Sequence, residues 1–109
     1  MHQTWILFLH LRLINIFRVK GVSMLPAFSN NDYVMTSYSR VLKKDDVVVI
    51  KLDDNSSIIK RINSVFKDEF EVTSDNKSYE SEFCSKKYKY DDVLGKVIFK
   101  IPFINSWIN

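Results

Sequence analysis

Two residues in this chain have the chemistry for nucleophilic catalysis. Ser23 lies in the stretch GVSMLP at 21–26, and 37 positions later Lys60 lies in SIIKRI at 57–62. A serine hydroxyl becomes a nucleophile only when a neighbouring base takes its proton. Both histidines, His2 and His10, fall in the N-terminal lead-in, so neither a Ser-His-Asp triad nor a histidine metal site is expected. Cys84 is the one cysteine, which excludes an intramolecular disulfide and a cysteine-rich zinc site. Catalysis by this chain therefore calls for a base other than histidine, and no metal or cofactor is expected.

Lys60 fits that need if it is desolvated. In an extended SIIKRI, Ile58, Lys60 and Ile62 share one face and Ile59 and Arg61 the other. Each face then mixes a cation with isoleucine, the pattern of a strand covered on both sides. An ordinary lysine has on the order of one neutral amine in a few thousand at pH 7. Burial among apolar neighbours disfavours the ammonium and enlarges that fraction, making the amine a usable general base. Taken alone, Lys60 reads equally as a lysine that snorkels to water, and Ser23 as one solvated hydroxyl among 12 serines. The neighbours of Ser23 add weight. Gly21 permits a tight turn or close approach to a substrate, Met24 offers adaptable apolar surface for a pocket, and Pro26 fixes the chain as it leaves.

The elements that must position these residues are short strands. With two glycines and two prolines in 109 residues, the turns fall to Asn, Asp and Ser clusters. SNND at 29–32 precedes YVMTSY, LKKDD at 42–46 precedes VVVIKL, and DDNSS at 53–57 precedes IIKRINSVF. The runs 47–52 and 58–66 predict a hairpin around 53–56, and KDE at 67–69 closes a second one into FEVTS. Residues 75–92 read as one polar, irregular connection to a last strand, VLGKVIFKI, which ends at Pro102. The expectation is a mostly β single domain of coiled antiparallel β-sheets over 16–109, preceded by an apolar, basic lead-in at 1–15.

Composition narrows the partners. Hydrophobic residues at 46% and aromatic residues at 14% supply enough apolar surface for one folded core and exclude a disordered chain. The formal charge of +3 comes from Arg12, Arg18 and Lys20, which precede the first acid, Asp32. That excess is too small for a nucleic-acid surface, although the lead-in suits peripheral contact with anionic lipid. The stretch 5–17 is 13 residues long and carries His10 and Arg12, short of the roughly 20 apolar residues a spanning helix requires. Alternation of Leu9, Leu11 and Leu13 with His10 and Arg12 points to extended structure there. Nothing demands an oxidising compartment, so a cytoplasmic location is expected, with membrane association confined to the N-terminus.

In order along the chain, GVSMLPAFSNNDYV, DDVVVI, IIKRI, VTSDNKSYES and LGKVIF resemble the Ser-Lys peptidase superfamily of bacterial signal peptidase I and the LexA/UmuD-type self-cleaving proteins. The resemblance implies that Ser23 is the nucleophile, Lys60 the general base, and the substrate an extended strand bound by β-augmentation. Gly21 and Met24 would touch that strand, and Asp75 would be structural, pairing with Arg61. Asn31-Asp32 and Asp45-Asp46 match the family's Gly-Asp turns, with Asn31 and Asp45 where glycine is usual. SDNKSY is similar to the last box of repressor-type members. Gly21 stands where many signal peptidases carry a hydroxyl residue, which leaves backbone N–H groups for the oxyanion. With 22 residues ahead of Ser23, self-cleavage upstream is not expected, and a stand-alone peptidase acting in trans is. Such a member is similar to the small maturation protease associated with nickel-type superoxide dismutase. A non-catalytic interaction module that keeps this fold is the alternative.

Overall fold

The computed structural model describes residues 14–39, 41–79 and 82–102. Most of the lead-in, including its expected extended structure and membrane contact, lies outside the described residues. Seven strands form one antiparallel sheet: β1 (Ile14–Arg18), β2 (Tyr33–Ser37), β3 (Val47–Lys51), β4 (Ser57–Val65), β5 (Glu69–Thr73), β6 (Lys87–Lys89) and β7 (Val93–Ile101). Their order is β1-β2-β7-β3-β4-β5-β6. Ile14 and Asn15, the last two residues of the expected lead-in, are part of β1 and pair with Ser37 and Thr36.

The sheet coils because its ladders are interrupted by bulges, which raise local twist. Register shifts fall between Met35 and Thr36 against β7, between Val49 and Ile50 against β7, and between Ile62 and Ser64 against β5. The coil encloses two apolar clusters. Val48, Ile50, Ile62, Phe70, Val72, Tyr88 and Val93 form one; Val19, Met24, Phe28, Val34 and Val47 form the other. Strand β3 contributes to both, since all four of its residues 47–50 are buried. A continuous Val/Ile run is what a strand covered on both faces requires.

The turns use short polar side chains as expected. Asn31, Asp45 and Asn55 adopt φ of 76°, 78° and 69°, left-handed values that Asn and Asp tolerate better than most residues. Two of these turns are built alike. Asp32 Oδ2 accepts the Ser29 N–H at 2.8 Å, and Asp46 Oδ2 accepts the Lys43 N–H at 3.0 Å, three residues back in each case. Each turn is then bonded to a neighbouring segment, Asn31 and Asp32 to Val19, and Asp45 and Asp46 to Ile62. Those two anchors fix the chain at Val19, shortly before Ser23, and at Ile62, shortly after Lys60.

The region 75–92 departs from the single irregular connection expected. It contains three short 3-10 turns, Lys77–Tyr79, Glu82–Ser85 and Tyr90–Asp92, and strand β6, which pairs with β5. Tyr88 is the reason: its ring lies 6.0 Å from that of Phe70 in the core, and its hydroxyl donates to the Phe83 carbonyl at 2.7 Å. Lysines on either side of Tyr88 mask this single inward residue in the sequence. Among the described residues no helix is long and apolar enough to cross a membrane, and no cluster of metal-ligating side chains occurs.

Two outcomes follow from the core. A Cβ on Gly95 would lie 2.5 Å from Thr36 Oγ1 and 2.6 Å from Thr36 Cβ, where β7 crosses β2. Gly95→Ala should destabilise the fold by about 1–3 kcal/mol in urea unfolding, the usual cost of overpacking; an unchanged midpoint would contradict this packing. Burial, and then the charge of Cys84, push the Tyr88 hydroxyl above the ordinary tyrosine range. The folded state then keeps that proton to higher pH than the unfolded chain does. Stability from this group is complete below the unfolded tyrosine pKa, about 10, and is lost as pH rises beyond it. Tyr88→Phe should flatten the alkaline decline, measured as urea midpoints between pH 8 and 11, while costing about 1 kcal/mol at neutral pH.

Candidate active site

Ser23 sits in the turn that follows β1. Gly21 starts the turn at φ 87°, and its N–H donates to Asn30 Oδ1 at 2.8 Å. Val22 and Met24 carbonyls accept the N–H groups of Leu25 and Phe28, which winds the chain tightly between them. Met24 is 1% exposed and packs with Val19, Phe28, Val34 and Val47, so it pins the turn to the core. Full burial of such a side chain stabilises by roughly 1.5–3 kcal/mol. Neither Met24 nor Gly21 lines the cleft beside Ser23. The contact with substrate expected of Met24 is not open to its side chain, which is spent in the core, whereas Gly21 is exposed with open space where a side chain would stand.

Lys60 lies in β4 opposite Val48 and is 4% exposed. Its Nζ donates to Ser23 Oγ at 3.0 Å and to Ser74 Oγ at 2.9 Å. Ser74 itself is fully buried, and its Oγ lies 3.5 Å from Cys84 Sγ. The amine is therefore bonded to two hydroxyls at a residue that water barely reaches. The snorkelling alternative for Lys60 does not hold.

Arg61 points to the other side of β4. Its Nε and Nη2 donate to Asp75 Oδ1 and Oδ2, each at 2.8 Å, and its Nη1 donates to the Asp45 carbonyl at 2.9 Å. The hydrogen bonds to Asp75 hold the guanidinium pKa above the ordinary arginine value. Arg61 stays charged throughout the accessible range, so this planar, two-point clamp carries no pH switch. Asp75 and Arg61 thus pair as the sequence suggests, and both support the site from outside.

Two positioning residues escape the sequence reading. Asn76 donates its backbone N–H to the Ser23 carbonyl at 2.9 Å and its Nδ2 to the Val22 carbonyl at 3.0 Å. Ser74, two residues earlier, holds the amine. Three consecutive residues after β5 therefore divide the work: Ser74 takes Lys60, Asp75 takes Arg61, and Asn76 takes the Ser23 turn. The β4–β5 hairpin register carried the signal, since Arg61 pairs with Thr73 and the next residue along β5 falls beside Lys60.

Beside the pair runs a cleft of about 370 Å³ between residues 17–20, at and just after the end of β1, and residues 56–60, at the start of β4. Phe17, Val34, Val49 and Ile59 give it an apolar floor, and Arg18, Lys20, Ser56 and Ser57 are polar members of its lining. A hydroxyl within hydrogen-bond reach of a buried amine, opening on a groove of mixed polarity flanked by a strand edge, has the parts for acyl transfer from an extended peptide. Comparison with curated proteins gives no match. A family model described as Peptidase S24-like matches residues 8–98, spanning β1, the Ser23 turn, Lys60, the 74–76 segment and most of β7. The chain belongs to the Peptidase S24-like family.

Proposed function

We propose that this protein is a serine endopeptidase that cuts another protein in trans, with Ser23 as nucleophile and Lys60 as general base and then general acid. The observation that carries the reading is the 3.0 Å contact between Lys60 Nζ and Ser23 Oγ at a lysine almost wholly removed from water. With the amine neutral, the same contact reverses and the Ser23 O–H donates to the nitrogen. Ser23 Oγ attacks the scissile carbonyl carbon as its proton passes to Nζ. The oxyanion is held by backbone N–H groups, that of Ser23 among them; the Gly21 N–H is already engaged by Asn30. Collapse breaks the C–N bond, and Lys60 returns the proton to the departing amine, leaving an acyl ester on Ser23. Water then gives its proton to Lys60, attacks the ester, and frees the acid and Ser23. Ser74 fixes the amine throughout, so that little reorganisation accompanies proton transfer.

The substrate we assign is an extended segment of a partner protein, laid against the strand edge beside the cleft. A removable leader, as processed by the maturation protease associated with nickel-type superoxide dismutase, belongs to that class.

Ser23→Ala and Lys60→Met should each lower cleavage by roughly 10³-fold or more. Methionine fills the lysine's space without its amine, so Lys60→Met should retain the urea midpoint of the parent. New protein N-termini in cells making the active protein, absent with Ser23→Ala, would identify the substrate. Full activity in either variant refutes the dyad and leaves a non-catalytic module of the same fold. Because the neutral amine is the reactive form, kcat/KM should rise with pH through the titration of Lys60 and then level. A falling or flat profile would contradict the assigned base.

Asn76→Ala should lower kcat by about 10- to 100-fold through loss of the clamp on Val22, with a smaller change in KM. Asn76→Asp, which keeps the shape but not the Nδ2 donor, should behave alike; normal turnover in both would show that the clamp does not position Ser23.

A further inference from the structure

The wall of the cleft formed by the first strand carries a charge pattern that specifies its peptide. Strand β1 is an edge of the sheet among the described residues, and residues 17–20 line the cleft. Phe17 and Val19 turn inward onto the cluster around Met24. Alternation therefore sends Ile14, Ile16 and Arg18 to the opposite face, where Ile16 is 57% exposed and Arg18 is exposed, with exposed Lys20 next in the series. Among the described residues no carboxylate lines the cleft, and none occurs in the sequence before Asp32. Asp53 and Asp54 sit in the β3–β4 turn, and Asp54 Oδ1 accepts from the N–H and hydroxyl of Ser56, which lines the cleft. Ser56 lies four residues before Lys60, about 13 Å along an extended chain. Arg18 and Lys20 thus put positive charge on the wall that leads into the Ser23 turn.

A strand added to β1 would place alternate side chains on each face. Those directed into the groove meet Phe17, Val34, Val49 and Ile59. Those on the other face lie beside Arg18 and Lys20 near the scissile bond and beside Ile16 farther away. We propose that the protein selects extended peptides carrying Asp or Glu at the alternate positions nearest the cut, small or apolar residues between them, and an apolar residue two positions beyond the acids. This specificity rests on the proposed Ser-Lys reading for the position of the cut, but binding can be measured without cleavage.

The Ser23→Ala protein, full length, should be titrated with fluorescein-labelled ten-residue peptides in which Glu, Gln or Lys is scanned through successive positions. Glu at two positions of the same parity should tighten binding about two- to fivefold each relative to Gln, Lys should weaken it comparably, and added salt should erase the difference. Arg18→Gln with Lys20→Gln should remove the preference, and Arg18→Glu with Lys20→Glu should invert it. Equal affinity for all three series, no binding by any peptide, or a preference that survives the double reversal would overturn the proposal. Exposing the same peptides to the protein with Ser23 intact separates the two readings. Peptides that bind by charge yet remain uncut contradict the peptidase, whereas peptides cut without regard to charge contradict the acidic preference alone.

Discussion

The buried amine of Lys60 is the constraint around which the other parts are arranged. A lysine at this depth is unfavourable unless its nitrogen is hydrogen-bonded, because water that would solvate it has been excluded. Two hydroxyls supply those bonds, and they come from segments far apart in sequence, the Ser23 turn and the residue after β5. Bringing them together requires the sheet to coil until the segment following β1 meets β4. Bulges provide the coil, and the two Asp-anchored turns hold its ends to Val19 and Ile62. The apolar clusters supply the driving force, but they do not by themselves say where an amine should stop.

That positioning is shared out along Ser74, Asp75 and Asn76. A single segment bonds to Lys60, to Arg61 and to the Ser23 turn, and so ties all three together. Arg61 is the fixed point: a bidentate ion pair with a half-exposed guanidinium adds modest stability, and its larger effect is to define the plane of Asp75. With Asp75 fixed, the residues on either side have little freedom left. The triplet therefore converts an ion pair near the surface into precision at a buried site.

Much of this is legible in the sequence. Strands β2, β3, β4, β5 and β7 were readable because their apolar runs are β-branched and bounded by Asn, Asp and Ser. Ser23 and Lys60 stood out together because histidine and metal chemistry were missing as rivals. Strand β6 was hidden, since Lys87 and Lys89 outweigh the one inward side chain between them. Met24 misled for a physical reason: a methionine beside a candidate nucleophile suits a pocket and a core equally, and only the direction of the turn decides. Asn76 was unreadable as a clamp because its partners, the Val22 and Ser23 carbonyls, lie more than 50 positions away and leave no local trace in sequence.

Cost distinguishes the functional reading of Lys60 from a merely structural one. A strand position facing Val48, Ile50 and Ile62 is filled most simply by isoleucine or methionine, which pack without any need for partners. Keeping a lysine there commits Ser74 to burial as well, and commits the 74–76 segment to a fixed course over the sheet. Arg61, one residue on, meets its hydrogen-bonding needs at the rim and shows that the fold has cheaper places for a cation. An amine retained at the costly position and aimed at a serine on a rigid turn is what proton transfer at that serine would require.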